Sequence, residues 1–429
     1  MDYRGKPRRG LRRTTLDLWG FLVLHLLICG LIPDTSPVAI FVTFLHRVLF
    51  MPLHFAPAAA PVIRGQKLRV PGWRWTDLRF LLLLLLPAAA VQALHTQPAR
   101  FCWSAAFFYL AVVVLEVLWP NVKKPAAPGS RPSAYFSGIL RLYVPVQLVL
   151  QLTAAWVAWQ SDWATVLGIG FGVGLLTGAL GTTVAHELGH SPYRFDRFLA
   201  WVLMTSVGYA QFMVEHYRGH HPRASTWADP ASSRRGESLW RFLPRTLSGS
   251  LVHAWKLEAR RLHQLGRPWG RSPLVWSYLV KAFGLLALVA GLLGKVLVFT
   301  LVQVAVAVLL LETVNYIEHY GLQRLRRGRH LDRFKQNHAW NANHALTNAL
   351  LINLQRHSDH HINAWKPYVT LEWTPAIPQL PTGYAGSILL AMVPRVWFAV
   401  MNPRLERIRA EHGGDDAPTR PGALGSAVK

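Results

Sequence analysis

Cysteine is nearly absent from this sequence: its 429 residues include only Cys29 and Cys102. Two thiols cannot build a four-thiolate iron site or a disulfide framework. Acidic residues are also scarce, 21 against 46 Lys and Arg, and charged residues make up only 16% of the chain. A soluble chain this basic would suggest a nucleic-acid partner, but no nucleic-acid-binding motif is present. Apolar residues form 52% of the chain and gather in runs long enough to cross a bilayer, about 18 residues or more. The net charge of +25 is therefore read as Lys and Arg crowding membrane-flanking loops near anionic headgroups, with lipid rather than nucleic acid as the partner.

The expected fold is an all-α integral membrane protein with about six spans, near 78–97, 101–119, 142–160, 164–185, 274–293 and 296–316. Arg64, Lys67, Arg69, Arg74 and Arg79 precede the first span, and Lys123, Lys124, Arg131 and Arg141 cluster between the second and third. The opposite loops hold only Arg100 and Asp162. The basic side marks the cytoplasm, so the polar stretches 186–273 and 317–429 form a cytoplasmic cap on an inner-membrane protein. The apolar run 198–214 is expected to return to the same face as a half-inserted or interfacial helix. Gly170, Gly174 and Gly178 recur every fourth residue, a spacing that lets helices approach closely in lipid.

Three domains follow. Residues 1–70 are a basic extension with two apolar stretches, 16–32 and 37–54. The first resembles a signal peptide without a clean cleavage site; the two together would add two further spans, or stand ahead of a true start near Met51. Residues 71–410 are the membrane domain, and 411–429 a loose polar tail.

What the chain does have is histidine in boxes. They read His186-Glu-Leu-Gly-His190, His216-Tyr-Arg-Gly-His220-His221 and His357-Ser-Asp-His360-His361, with His319 at the end of the last span. Residues four apart share a helix face, which pairs His186 with His190, His216 with His220, and His357 with His361. Neutral imidazole is the commonest protein ligand for zinc, copper, iron and nickel. Nine imidazoles are too many for one ion and suit two. HExxH alone also marks zinc proteases, with Glu187 as general base, but a protease would leave most of the other histidines idle. A reversible metal carrier is a further alternative. His25, His46, His54, His95, His253, His263, His330 and His412 are read as surface residues; His338 and His344 flank an Asn-rich segment.

A carboxylate lies beside a ligand in each element: Glu187, Glu215, Glu318 and Asp359. Neighbours on a helix diverge by about 100°, so each is expected to hold a histidine from another box. Glu312 and Asn315 lie seven and four residues before His319 on the same face, deeper in the span. An intramembrane carboxylate is a functional candidate, and Glu312 is expected under the metal pocket, bonded to ligand histidines or water.

These motifs resemble the membrane alkane 1-monooxygenases of the fatty acid desaturase and hydroxylase superfamily. Ala185 to His190 with Phe195-Asp-Arg197, Glu215 to His221, and Asp229-Pro-Ala-Ser-Ser-Arg234 are similar to stretches of that family. So are Asn315-Tyr-Ile-Glu-His-Tyr-Gly-Leu322, Leu354 to His361, and Leu380-Pro-Thr-Gly-Tyr384 through Met401-Asn-Pro-Arg404. Ser191-Pro192 departs from it, since a lysine is common there, and residues 1–70 are longer than the family needs. The resemblance implies a histidine-ligated site with two Fe ions at the cytoplasmic face. It also implies terminal hydroxylation of n-alkanes with O₂, fed by rubredoxin and rubredoxin reductase. A fatty acyl desaturase or a methyl-aromatic hydroxylase would use a related site. An apolar tunnel would select chain length at about 0.8 kcal/mol per buried methylene, with Trp103, Phe107, Phe108, Leu115 and the glycine face at 170, 174 and 178 as lining candidates.

Overall fold

The computed structural model describes residues 75–118, 133–291, 293–324, 326–327 and 330–411. The extension 1–70, residues 412–429 of the tail, and the basic residues 64–74 and 120–131 lie outside the described residues.

Six described helical segments are long and apolar enough to cross a membrane. A 3₁₀ turn leads into α1 (Leu82–Thr96), followed by α2 (Pro98–Leu118) and α3 (Ser133–Gln160). Then come α4 (Trp163–Leu176), a π turn (Thr177–Gly181) and α5 (Thr182–His190), which together make the fourth span. After α6 (Arg194–Ser206) and α7 (Leu239–Gln264), α8 (Pro273–Ala290) and α9 (Gly294–His319) complete the six. All six expected spans coincide with such helices, but the fourth helix continues through His190, so the first box lies on its last turns. The described strands are a two-residue ladder, Arg326–Arg327 with His330–Leu331.

Glycine sets one close helix contact in the bundle. A Cβ on Gly170 would lie 2.8 Å from Val302, one on Gly174 2.6 Å from Val306, and one on Gly178 2.7 Å from the Ala307 backbone. Their bare face lets α4 and the π turn lie against α9. Asp162 caps α4 by accepting from the Thr165 amide at 3.0 Å.

The run 198–214 reverses direction after α6. α6 is tied at its start by Arg141–Asp196 (2.7 Å). At its end the Ser206 carbonyl accepts from Lys281 Nζ of α8 at 3.0 Å. Gly208, at φ +71°, reverses the chain. The cap continues through α10 (Ala345–Leu350), α11 (His357–Ile362), α12 (Tyr384–Met392) and α13 (Pro394–Glu411). Trp397 of α13 packs on Tyr316 and Tyr320 with ring centroids 5.4 Å apart, in the core that roots the cap on α9.

Candidate metal centre

The nine histidines converge into two groups, each with its ligand nitrogens within 4.8 Å of one another. One group contains His186, His190, His216, His221 and His360; the other contains His220, His319, His357 and His361. Within the first, Nε2 atoms face each other at 3.4 Å (His190–His216), 3.0 Å (His216–His221) and 3.3 Å (His221–His360). Within the second the distances are 3.2 Å (His220–His361), 2.9 Å (His357–His361) and 3.3 Å (His319–His357).

The partition differs from simple helical pairing in the second box. Glu215–His220 is a π turn, not an α turn. The wider turn brings residues five apart together, so His216 meets His221 while His220 joins the other group. In the third box α11 keeps ordinary spacing: His357 meets His361, and His360 faces the five-histidine group. Gly189 is needed for the first box to seat, because a side chain there would overlap the Tyr217 hydroxyl. That hydroxyl donates to the His186 carbonyl at 3.1 Å.

The donor set fits metal. Imidazole nitrogens face imidazole nitrogens, and neutral rings can satisfy only part of such an array by hydrogen bonding. His186 Nε2 is buried with no partner. Burial, reinforced by neighbouring imidazoles, holds His216, His221, His357 and His361 well below the ordinary histidine range, and His360 falls to about 3. The rings are thus neutral, the form that ligates.

The carboxylates divide. Glu318 Oε1 lies 3.2 Å from His357 Nδ1, a ligand of another box, and accepts from the Tyr384 hydroxyl at 2.7 Å. The other acids do not meet ligands, because nearer donors take them. Glu187 accepts from the Tyr368 amide at 3.0 Å, an arrangement unlike a protease base. Asp359 accepts from Asn363, Lys366 and the Glu372 amide, closing the loop after α11. Glu215 lies 2.9 Å from His253 Nδ1, so His253 is half-buried and not a free surface residue. Burial, with Asp229 nearby, pushes Glu215 up to about 9. Glu312 is held by Tyr209 (2.7 Å), Thr246 (2.7 Å) and Asn315 (3.3 Å), not by histidine. His338 is buried outside both groups, accepting from the Lys335 amide, and His344 is half-buried.

Asp229 is the acid that sequence reasoning passed over as a partner for a ligand. Its Oδ2 lies 2.8 Å from His220 Nδ1, and it also accepts from Ser232 and the Ala231 amide. Burial pushes its carboxyl up, but His220 and Ser232 outweigh this and hold it below the usual range. The available signal was Asp-Pro-Ala-Ser, a turn in which Asp binds its own following backbone.

An apolar cavity of about 310 Å³ ends on His186, His216 and His357. It runs along α2 from Phe101 to Val112, about 16 Å at 1.5 Å per residue.

Two sets of relatives share this chain's sequence. Residues 161–376, half the chain, match the fatty acid desaturase family. Alkane 1-monooxygenase 1 of Pseudomonas aeruginosa is 42% identical over 386 residues, covering 85% of this chain and 96% of that protein. The chain belongs to the alkane 1-monooxygenase family within the fatty acid desaturases. A second alkane 1-monooxygenase of that organism is 42% identical over 67% of this chain and 78% of its own length. The xylene/toluene monooxygenase hydroxylase component of Pseudomonas putida is 26% identical over 76% of this chain and 89% of that protein.

The lining of this family member's cavity corrects part of the sequence expectation. Phe108 and Gly178 line it. Trp103, Phe107 and Leu115 do not: they point out of the bundle, 76%, 75% and 37% exposed, on the α2 face that lipid would cover. Gly170 and Gly174 do not either, because α9 fills the space beside them. α2 has one face on the cavity, and a run of apolar residues does not reveal which.

Proposed function

We propose that this enzyme hydroxylates the terminal methyl group of n-alkanes, or of similar alkyl chains, consuming O₂, two electrons and two protons and releasing water. The observation that carries this reading is one apolar cavity ending on a double group of nine histidines. A chain without polar atoms can be recognised only by shape and burial, and a cavity about 16 Å long does both. The residues that would hold two irons are His186, His190, His216, His221 and His360 in one group, and His220, His319, His357 and His361 in the other. Bound iron would supply the oxidising power that side chains lack.

The protein's own part is positioning and exclusion. The walls of α2, α4 and α9 align the chain and keep water out, while Asp229 orients His220 and the Glu318 carboxylate lies beside His357. Glu312 and Asn315 brace the end of α9, and Glu187, Glu215 and Asp359 brace the segments around the boxes. Electrons come from outside, since the two cysteines cannot form a thiolate iron centre. A rubredoxin, renewed by its reductase, is the proposed donor, meeting an inner-membrane enzyme at its cytoplasmic cap. The test is metal analysis of purified protein together with product analysis of alkanes of graded length under a supplied rubredoxin system. Two irons per chain and primary alcohols are expected. One zinc per chain, with activity surviving His319→Ala, would sink the reading; alkenes or benzylic alcohols as main products would transfer it to a related chemistry.

A further inference from the structure

Glu116 is a buried carboxylate near the cap end of α2 that the histidine centre does not use. Oε1 accepts from Thr347 Oγ1 of α10 at 2.6 Å, and Oε2 from the Gly386 amide in the first turn of α12 at 3.2 Å. α12 begins after Gly383, which has no side chain to cap it. A side chain at Gly383 would overlap the Glu116 carboxylate. An acid from another span therefore takes the capping role, where a helix N-terminus favours negative charge. Seven residues earlier on the same face of α2, the Tyr109 hydroxyl donates to the Ala385 carbonyl at 2.9 Å. α2 thus grips the start of α12 at two points. The preceding residue on that turn, Tyr384, donates to Glu318.

Tyr109, Thr347, Tyr384 and Ala385 line the cavity beside Glu318 and His357. The gripped joint is therefore the wall at the metal end of the cavity. We propose that Glu116 is a positioning residue: by capping α12 from within the bundle it fixes this wall, and so sets where an alkyl chain end stops relative to the histidines. The specificity half of this inference rests on the alkyl-hydroxylase reading; the capping half does not.

The experiment compares full-length wild type, Glu116→Ala, Glu116→Gln and Thr347→Val in lipid nanodiscs, by hydrogen exchange over 384–392, metal content and alcohol position from a linear alkane. Glu116→Ala should speed exchange at the start of α12 on the order of tenfold, the scale of a lost cap. At unchanged metal content it should raise the share of subterminal alcohol. Glu116→Gln keeps an acceptor and should fall between. Should Glu116→Ala fail to fold, Thr347→Val and Glu116→Gln carry the test with the same direction. Unchanged exchange in the folded variants overturns the cap, and faster exchange with an unchanged alcohol distribution overturns the positioning role. Wild type that makes no alcohol from any alkyl chain refutes the hydroxylase reading and with it the positioning role, while exchange at 384–392 still decides the cap.

Discussion

Removing the Asp229 carboxylate should cost one metal and spare the other. Asp229 touches a single ligand, His220, at 2.8 Å, and His220 belongs to the four-histidine group. That contact fixes the His220 tautomer, with Nδ1–H toward the acid and Nε2 free for metal. Asp229→Ala leaves His220 Nδ1 buried with no acceptor, and the ring loses its orientation. Losses of this kind typically weaken metal binding about 10–100-fold, or roughly 1.4–2.7 kcal/mol. Asp229→Asn retains an oxygen and should fall at the lower end. The five-histidine group has no contact with this acid, so its affinity should hold. The assay is metal per chain after graded chelator challenge, read beside helicity and alcohol formation. Wild type should lose its two metals together or nearly so, whereas Asp229→Ala should show an early loss of one equivalent. Equal loss of both at preserved helicity would refute the assignment of Asp229 to one group, and retention of both would refute its role.

Three other outcomes are expected. Glu312→Leu should act on stability before metal: it strands the Tyr209 and Thr246 hydroxyls, about 1–3 kcal/mol each when buried unpaired. Thermal unfolding should show this, with Glu312→Gln milder; metal loss at unchanged stability would return Glu312 to the ligand environment. Reporter fusions after residues 225 and 330 should both read cytoplasmic, and periplasmic activity from either would contradict the proposed orientation. Turnover limited by rubredoxin should fall between about 0.05 and 0.5 M salt, because an acidic donor would be steered to a basic face. The sequence supplies Arg324, Arg326, Arg327 and Arg329 for such a face, but Arg324 contributes little, since its guanidinium is tied to the Asp332 and Pro222 carbonyls. A rate indifferent to salt would reject steering.

Membrane helices and histidine boxes were legible because their causes are local. A run of apolar residues must satisfy its own backbone in lipid, and helix is the way one segment can do so. The glycines at 170, 174 and 178 were legible as a packing face, but not as a face turned away from the cavity. That distinction depends on where α9 lies. The partners of the acids were illegible for a related reason. A carboxylate next to a histidine in sequence projects elsewhere, and its bond goes to whichever donor the fold delivers. For Glu187 that is a backbone amide 181 residues away. For Glu312 it is Tyr209 and Thr246, on segments that sequence periodicity does not relate.

The second box shows how the local and the distant combine. His216-Tyr-Arg-Gly-His220-His221 contains both an i,i+4 and an i,i+5 pair, and a straight α-helix would favour the first. The π turn selects the second, sending His221 to the five-histidine group with His216 and leaving His220 for the four-histidine group. His221 and His361, one from each group, then lie with ring centroids 4.4 Å apart. The third box divides in the complementary sense, with His360 in one group and His357 and His361 in the other. Two boxes each contribute to both groups, so two short backbone segments hold the groups side by side while each ring keeps its own contacts. A π turn inside a helix is an unfavourable geometry that persists where the surrounding structure requires it. Here its effect is to place two histidine groups side by side at the end of one apolar cavity.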